Sequence, residues 1–231
     1  ERGVAFETVI GGLARAQKQA EKTLKITSKL ILCFLRHLPA DAAMRTLDEA
    51  LPFKHLLTAV GLDSSEVGHP PKKFKKVFER ARDAGLKAVA HAGEEGPPAY
   101  VWEALDELGV SRIDHGVRCI EDKKLVARLV RDNIPLTVCP LSNVKLRVFK
   151  DLKDHNLRRL LDLGLKATAN SDDPAYFGGY VLENLVETHK ALNLTRDELA
   201  QLERNAFEAS FLNSSEKKQL LHQLDEYLKS N

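Results

Sequence analysis

The sequence predicts an α/β protein of the (β/α)-barrel kind, and three observations lead there. Short apolar runs alternate with longer amphipathic segments, the pattern of βα units that build a parallel sheet with helical crossovers. The apolar runs are continuous rather than alternating, as strands covered on both faces should be. Neither a GxGxxG nor a GxxxxGK loop occurs, which disfavours an open doubly wound sheet around a nucleotide.

The elements follow in order. Phe6 to Leu24 carries Val9, Ile10, Leu13 and Ala16 at helical spacing and predicts a helix. Lys29–Arg36 (KLILCFLR) predicts the first strand, with a helix around Asp41–Ala50. The second strand is Leu57–Asp63, followed by a helix over Lys72–Ala84. The third is Leu86–His91, with a helix over Ala99–Leu108. A very short fourth strand, Arg112–His115, precedes a helix at Asp122–Asp132. Pro135–Cys139 is the fifth, followed by a polar loop and a helix near Leu157–Leu163. Leu165–Asn170 is the sixth, and helices around Tyr180–Leu192, Arg196–Phe207 and Ser215–Lys229 close the chain. Pro70–Pro71 and Pro97–Pro98 stand just before helices, where proline suits the first turn. No Pro-, Gly- or Ser-rich linker divides the chain, so residues 1–231 read as one (β/α)-barrel domain with extra C-terminal helices.

Composition narrows the function classes. A chain of 231 residues, 43% hydrophobic, can bury a sizeable core. With 35 basic against 33 acidic residues there is no basic stripe, so nucleic acid is not the expected partner. No run approaches the ~18 apolar residues of a membrane span, so no membrane partner is expected. Three cysteines without a CxxC pair exclude a disulfide scaffold and a cysteine-rich zinc module. They fit a reducing compartment, and the expected location is the cytoplasm. Homo-oligomerisation is left open. Residue 1 is Glu inside a helix-like pattern, so the expectation is that the start has been cut away.

The chemistry-bearing residues cluster at the C-terminal ends of the strands. After the second strand comes Asp63-Ser-Ser65-Glu66-Val-Gly-His69; the third ends in His91-Ala-Gly-Glu94-Glu95 and the fourth in Asp114-His115-Gly116. Ser142 and Asn143 lie past the fifth, and the sixth runs into Asn170-Ser-Asp172-Asp173-Pro174. In a barrel these ends share the rim where active sites are built. Taken singly, Asp172-Asp173 before Pro174 is a turn and helix cap, and Glu94-Glu95 can cap the next helix. His37, His55, His69, His155, His189 and His222 read as structural histidines. The argument for function is joint, since five of six strands end in such groups. His91 and Asp172 are an imidazole and a carboxylate on different strands, a pair suited to zinc or another divalent metal. Catalytic zinc usually takes three protein ligands, and no HxH pair is present to complete the set.

In this order and at these separations, the His91-Ala-Gly-Glu94, Asp114-His115-Gly116 and Asn170-Ser-Asp172-Asp173-Pro174 motifs resemble the adenosine/adenine deaminase family of metal-dependent amidohydrolases. Val60-Gly-Leu-Asp63-Ser-Ser-Glu66-Val-Gly-His-Pro-Pro71 resembles the adenine deaminase branch more than the nucleoside-using one. So does Cys139-Pro-Leu-Ser142-Asn143, followed later by Asp173-Pro-Ala-Tyr-Phe-Gly-Gly179. The likeness runs nearly end to end. It implies a (β/α)8 TIM barrel of amidohydrolase type, of which this chain would hold about six strands and the C-terminal two-thirds. The strand with the family's HxH pair would precede Glu1.

By the same resemblance His91 and Asp172 are metal ligands for one divalent ion, zinc first and iron second. Glu94 is the proton donor to purine N1, and His115 positions or deprotonates the attacking water. Asp173 meets the purine N7 edge. Glu66, with Ser65 beside it, is the candidate for the N9 edge, where a carboxylate would accept the free base's N–H and crowd a ribose. The implied activity is hydrolytic deamination of a small-molecule purine, adenine to hypoxanthine and ammonia, in purine salvage. The alternatives are a deaminase for adenosine or an N6-substituted adenine, a metal-deficient purine-binding remnant, and another barrel amidohydrolase.

Overall fold

A computed structural model describes residues 3–230. All its strands run parallel and follow one another in chain order. Leu30–Leu35 (β1) pairs with Leu57–Asp63 (β2), which pairs with Lys87–Ala88 (β3). Ala90–Ala92 (β4) pairs with Ile113–His115 (β5), then come Pro135–Val138 (β6) and Lys166–Ala169 (β7). β3 and β4 are two halves of the expected third strand. Lys87 and Ala88 pair toward β2, whereas Ala90 to Ala92 pair toward β5. Between the halves the Val89 N–H still donates to the Val60 carbonyl at 3.0 Å. The order never reverses, which separates a barrel from a doubly wound sheet. Among the described residues β1 and β7 are not paired with each other, so this is a barrel wall with two edges.

Helices cover the outer face because every strand presents apolar side chains there. Phe34 of β1 meets Phe78 edge-on, with ring centroids 5.7 Å apart. Phe78 lies on the Lys75–Asp83 helix, which a 3₁₀ turn at Pro71–Phe74 introduces. Ile113, Leu136, Leu125, Leu129, Leu157 and Leu160 continue this core around the wall. The helix at Lys123–Arg131 starts on Asp122, whose carboxylate accepts the Lys124 and Leu125 N–H groups and the Trp102 indole N–H.

Most expected elements appear within a residue or two of their expected limits. The helix over Ala99–Leu108 begins as an α-helix at Pro98–Glu103 and finishes as a π turn at Ala104–Leu108. The stretch after β6 expected as a polar loop contains a short helix, Pro140–Lys145, with Pro140 in its first turn. That helix carries Asn143 into the interior. No helix among the described residues is long and apolar enough to cross a membrane.

Candidate active site

Register brings the polar strand ends together. His91 pairs with Asp114 across β4 and β5, and Asp114 with Thr137 across β5 and β6. The Thr137 hydroxyl donates to Asp114 Oδ1 at 2.6 Å. The His91 and His115 rings lie with centroids 4.9 Å apart, and His115 Nε2 is 3.6 Å from Asp172 Oδ2. His91, His115 and Asp172 therefore converge at one place. His115 and Asp172 have φ of +64° and +58°. Non-glycine residues seldom adopt the left-handed region, and such positions gather at functional sites.

His91 sits between two carboxylates, with Nε2 3.7 Å from Asp63 and Nδ1 3.7 Å from Asp114. Both distances are too long for hydrogen bonds, and buried Nδ1 has no partner. Burial pulls the pKa of His91 down, but the charges of Asp114, Asp63, Glu94 and Asp172 outweigh it and the net shift is upward. An under-bonded imidazole amid carboxylates is a setting that a divalent cation would satisfy. His115 lies beside His91, and Asp172 beside His115. Among the described residues, the potential ligand atoms that lie within 4.8 Å of one another are those of His115, Cys139 and Asp172; His91 stands beside this group, its ring centroid 4.9 Å from that of His115. Burial, then Asp172, Asp114 and Glu94, hold the Cys139 thiol well above its ordinary pKa, so it stays protonated and is the weaker ligand.

Glu94 is 8% exposed, with Oε1 3.2 Å from His115 Nδ1 and 2.7 Å from the Asn143 amide nitrogen. Burial pushes its pKa up to about 7; His91 opposes the rise, and Asp172, Glu66 and Glu95 add to it. It is a carboxyl group able to carry a proton near neutrality. His115, 1% exposed, goes the other way: burial, then His91 and His155, hold it well below its ordinary value. A cleft of about 310 Å³ lined by Glu94, Glu95, Arg118 and Val148 opens beside this pair. A larger hollow of about 730 Å³, lined by Lys29, Arg112 and Phe211, lies toward the other ends of the strands, away from these groups.

Glu66 does not occupy the place expected for it. Its side chain is buried, 2% exposed, and accepts the backbone N–H groups of Gly93, Glu94, Glu95 and Gly96 at 2.6–3.0 Å. One donor lies on Oε1 and three on Oε2, so the carboxylate is engaged by the loop backbone rather than standing free for a purine edge. Ser65 is exposed on the same loop. Asp173 stands exposed on the rim and caps the Pro174–Phe177 turn, Oδ1 accepting the Tyr176 N–H at 3.3 Å.

Two groups carry more than their spacing announced. Asn143 links Glu94, His115 and His155 in one hydrogen-bonded cluster. Arg36, fully buried at the end of β1, donates to the carbonyl oxygens of His69 at 2.9 Å and His91 at 2.7 Å. An arginine at a strand end was a visible signal; its partners lie 33 and 55 residues away and were not.

A sequence model of the family described as adenosine deaminase matches residues 1–227. An adenine deaminase of Hahella chejuensis is 61% identical over all of this chain and 69% of its own length. One from Caulobacter vibrioides is 60% identical over 98% of this chain and 66% of its own. Among solved structures, the adenine deaminase from Arthrobacter aurescens superposes with a TM-score of 0.96 at 48% identity, over 99% of this chain and 70% of that one. An amidohydrolase from Burkhoderia ambifaria with bound Zn gives 0.90 at 25% identity, over 99% of this chain and 66% of that one. The chain thus spans about two thirds of the relatives it matches.

Proposed function

The chain belongs to the adenosine deaminase family, and from that premise we propose that its rim serves the hydrolytic deamination of adenine to hypoxanthine and ammonia. The observation that carries this reading is Glu94, a buried carboxyl with its pKa near 7, held against His115 beside the His91–Asp172 cluster. Attack at C6 breaks the aromaticity of the purine, so the ring must accept electrons as the nucleophile arrives. Glu94 meets that need by giving its proton to N1. The oxygen of water bonds to C6, one water proton leaves with the amino group as ammonia, and the other restores Glu94. N1 keeps the proton it received, and the product is the 6-oxo purine.

A divalent cation, for which we assign His91 and Asp172 as the ligands from this chain and zinc as the metal, supplies Lewis acidity that lets water act as a nucleophile near neutral pH. Neutral His115 stands where it can orient that water toward C6. Asp173 is assigned to the N7 edge, where its exposed carboxyl can accept a hydrogen bond. Preference for the free base rests on the named relatives and not on Glu66, whose oxygens are committed to the backbone.

The test is release of ammonia by the zinc-loaded protein, with kcat/KM compared for adenine and adenosine. Adenine is expected to be the favoured substrate. Equal values would remove the adenine assignment, and turnover of neither substrate would remove the deaminase reading.

A further inference from the structure

A buried line of polar groups runs from a helix start to Glu94. The Leu157 N–H donates to His155 Nδ1 at 3.0 Å. In a neutral ring that puts the proton on Nε2, 3.2 Å from Asn143 Oδ1. The ring is neutral, since burial pulls its pKa down to about 3. Phe149 packs on it with centroids 4.4 Å apart and limits its rotation. With its oxygen engaged by His155, Asn143 turns its NH₂ group toward Glu94 Oε1 at 2.7 Å, and 3.1 Å from His115 Nδ1. A flipped amide would set N–H against N–H at His155, an unfavourable contact between two buried donors.

We propose that His155 and Asn143 form a positioning pair for Glu94. Asn143 holds Oε1 as an acceptor, so the transferable proton rides on Oε2. The inference rests on the deaminase reading for its purpose but on hydrogen-bond direction for its content. Asn143 comes from the Pro140–Lys145 helix, and His155 follows the 3₁₀ turn at Leu152–Asp154. Both elements lie outside the strand and loop that carry Glu94, so they can fix the acid's orientation without sharing its backbone.

Two measurements decide the matter. In zinc-loaded protein labelled with [¹⁵N]histidine, His155, assigned by its loss in His155→Phe, should appear as the neutral Nε2–H tautomer. An Nδ1–H tautomer would reverse the chain of donors and overturn the proposal. In kinetics, Asn143→Ala and His155→Phe should each lower kcat on adenine, about 10- to 100-fold, with KM changed less than about threefold. The double variant should be no slower than Asn143→Ala, because His155 acts only through Asn143. Multiplied losses, or losses falling on KM, would overturn it. The parent's tautomer is read without any variant having to be active. Failure of the parent to deaminate adenine would strike the functional reading alone.

Discussion

Glu66 Oε2 accepts the backbone N–H of Glu94 at 3.0 Å, and the same carboxylate gathers the N–H groups of Gly93, Glu95 and Gly96. One buried acid thus fixes the backbone from which the other reaches into the site. Successive N–H groups converging on one anion form a nest, and here the anion is a side chain of the preceding βα loop. Arg118, which donates to the Glu95 carbonyl and pairs with Glu121, closes the same loop from outside.

Glu66→Gln tests the clamp. A side-chain amide offers one acceptor oxygen and points its own N–H at backbone donors, so at least one buried N–H is orphaned. A loss of ~2 kcal/mol is expected, or about 4–8 °C in Tm for a chain of this size. Displacement of Glu94 should also reduce kcat on adenine at least tenfold. Thermal melts and steady-state rates check both, and a variant with the parent's Tm and kcat would dismiss the clamp.

Glu94 trades stability for reactivity. Its carboxyl titrates near 7 in the folded chain, above its ordinary 4.5. Between those values the folded state binds the proton more tightly than the unfolded state does, so stability falls as pH rises through the window. Glu94→Gln removes this dependence. Above pH 8 the variant is expected to exceed the metal-free parent by ~3 kcal/mol, and near pH 4 to match it, in urea titrations. Its deamination rate should fall by orders of magnitude, while the parent's kcat/KM declines above about pH 7 as the acid form is lost. Parallel stability profiles for the two proteins would contradict the raised pKa.

Arg36 is a second buried charge with a positional task. Its guanidinium ties the carbonyl of His91 to that of His69 and lies 5.8 Å from the Tyr100 ring centroid. Burial lowers its pKa, and Glu66 is the foremost of the groups that oppose the shift. Arg36→Met keeps the volume but leaves two carbonyls and a buried carboxylate without their cation. The expected cost is ~3–5 kcal/mol, with weaker zinc binding by the folded variant because His91 loses its tether. Denaturant titration and isothermal titration with zinc would show it; unchanged affinity would limit Arg36 to a stabilising role.

The wall and its rim were legible because they depend on periodicity and on which strand ends carry polar groups. His91, Glu94, His115 and Asp172 gather as their spacing suggested. The backbone contacts of Glu66 were not legible for a physical reason: a loop carboxylate can turn toward solvent, a ligand or backbone N–H groups, and that choice lies in loop dihedrals that no hydrophobic pattern encodes. His155 read as structural, and its ring does bond to the backbone N–H of Leu157; its second bond, to Asn143, depends on a helix that looked like a loop. Prolines at helix starts were clear, but a six-residue helix holds too few apolar positions to display its period.

Gly93 joins the motif to the clamp and permits a test that separates two kinds of strain. Its φ is +73°, its N–H donates to Glu66 Oε1 at 2.6 Å, and its carbonyl accepts from Arg118 at 2.8 Å. A β-carbon there would stand 2.7 Å from Val101 Cγ2 on the Pro98–Glu103 helix. Gly93→Ala therefore meets a conformational cost of ~1–2 kcal/mol and a collision with the core. Val101→Ala removes the collision and leaves the conformational cost untouched, so the double variant should recover part of the Tm lost by Gly93→Ala beyond what additivity allows. Activity should not return with stability, because a β-carbon at positive φ still shifts the backbone that aims Glu94. Full recovery of kcat in the double variant would mean that collision alone, and not backbone conformation, dictates glycine at this turn.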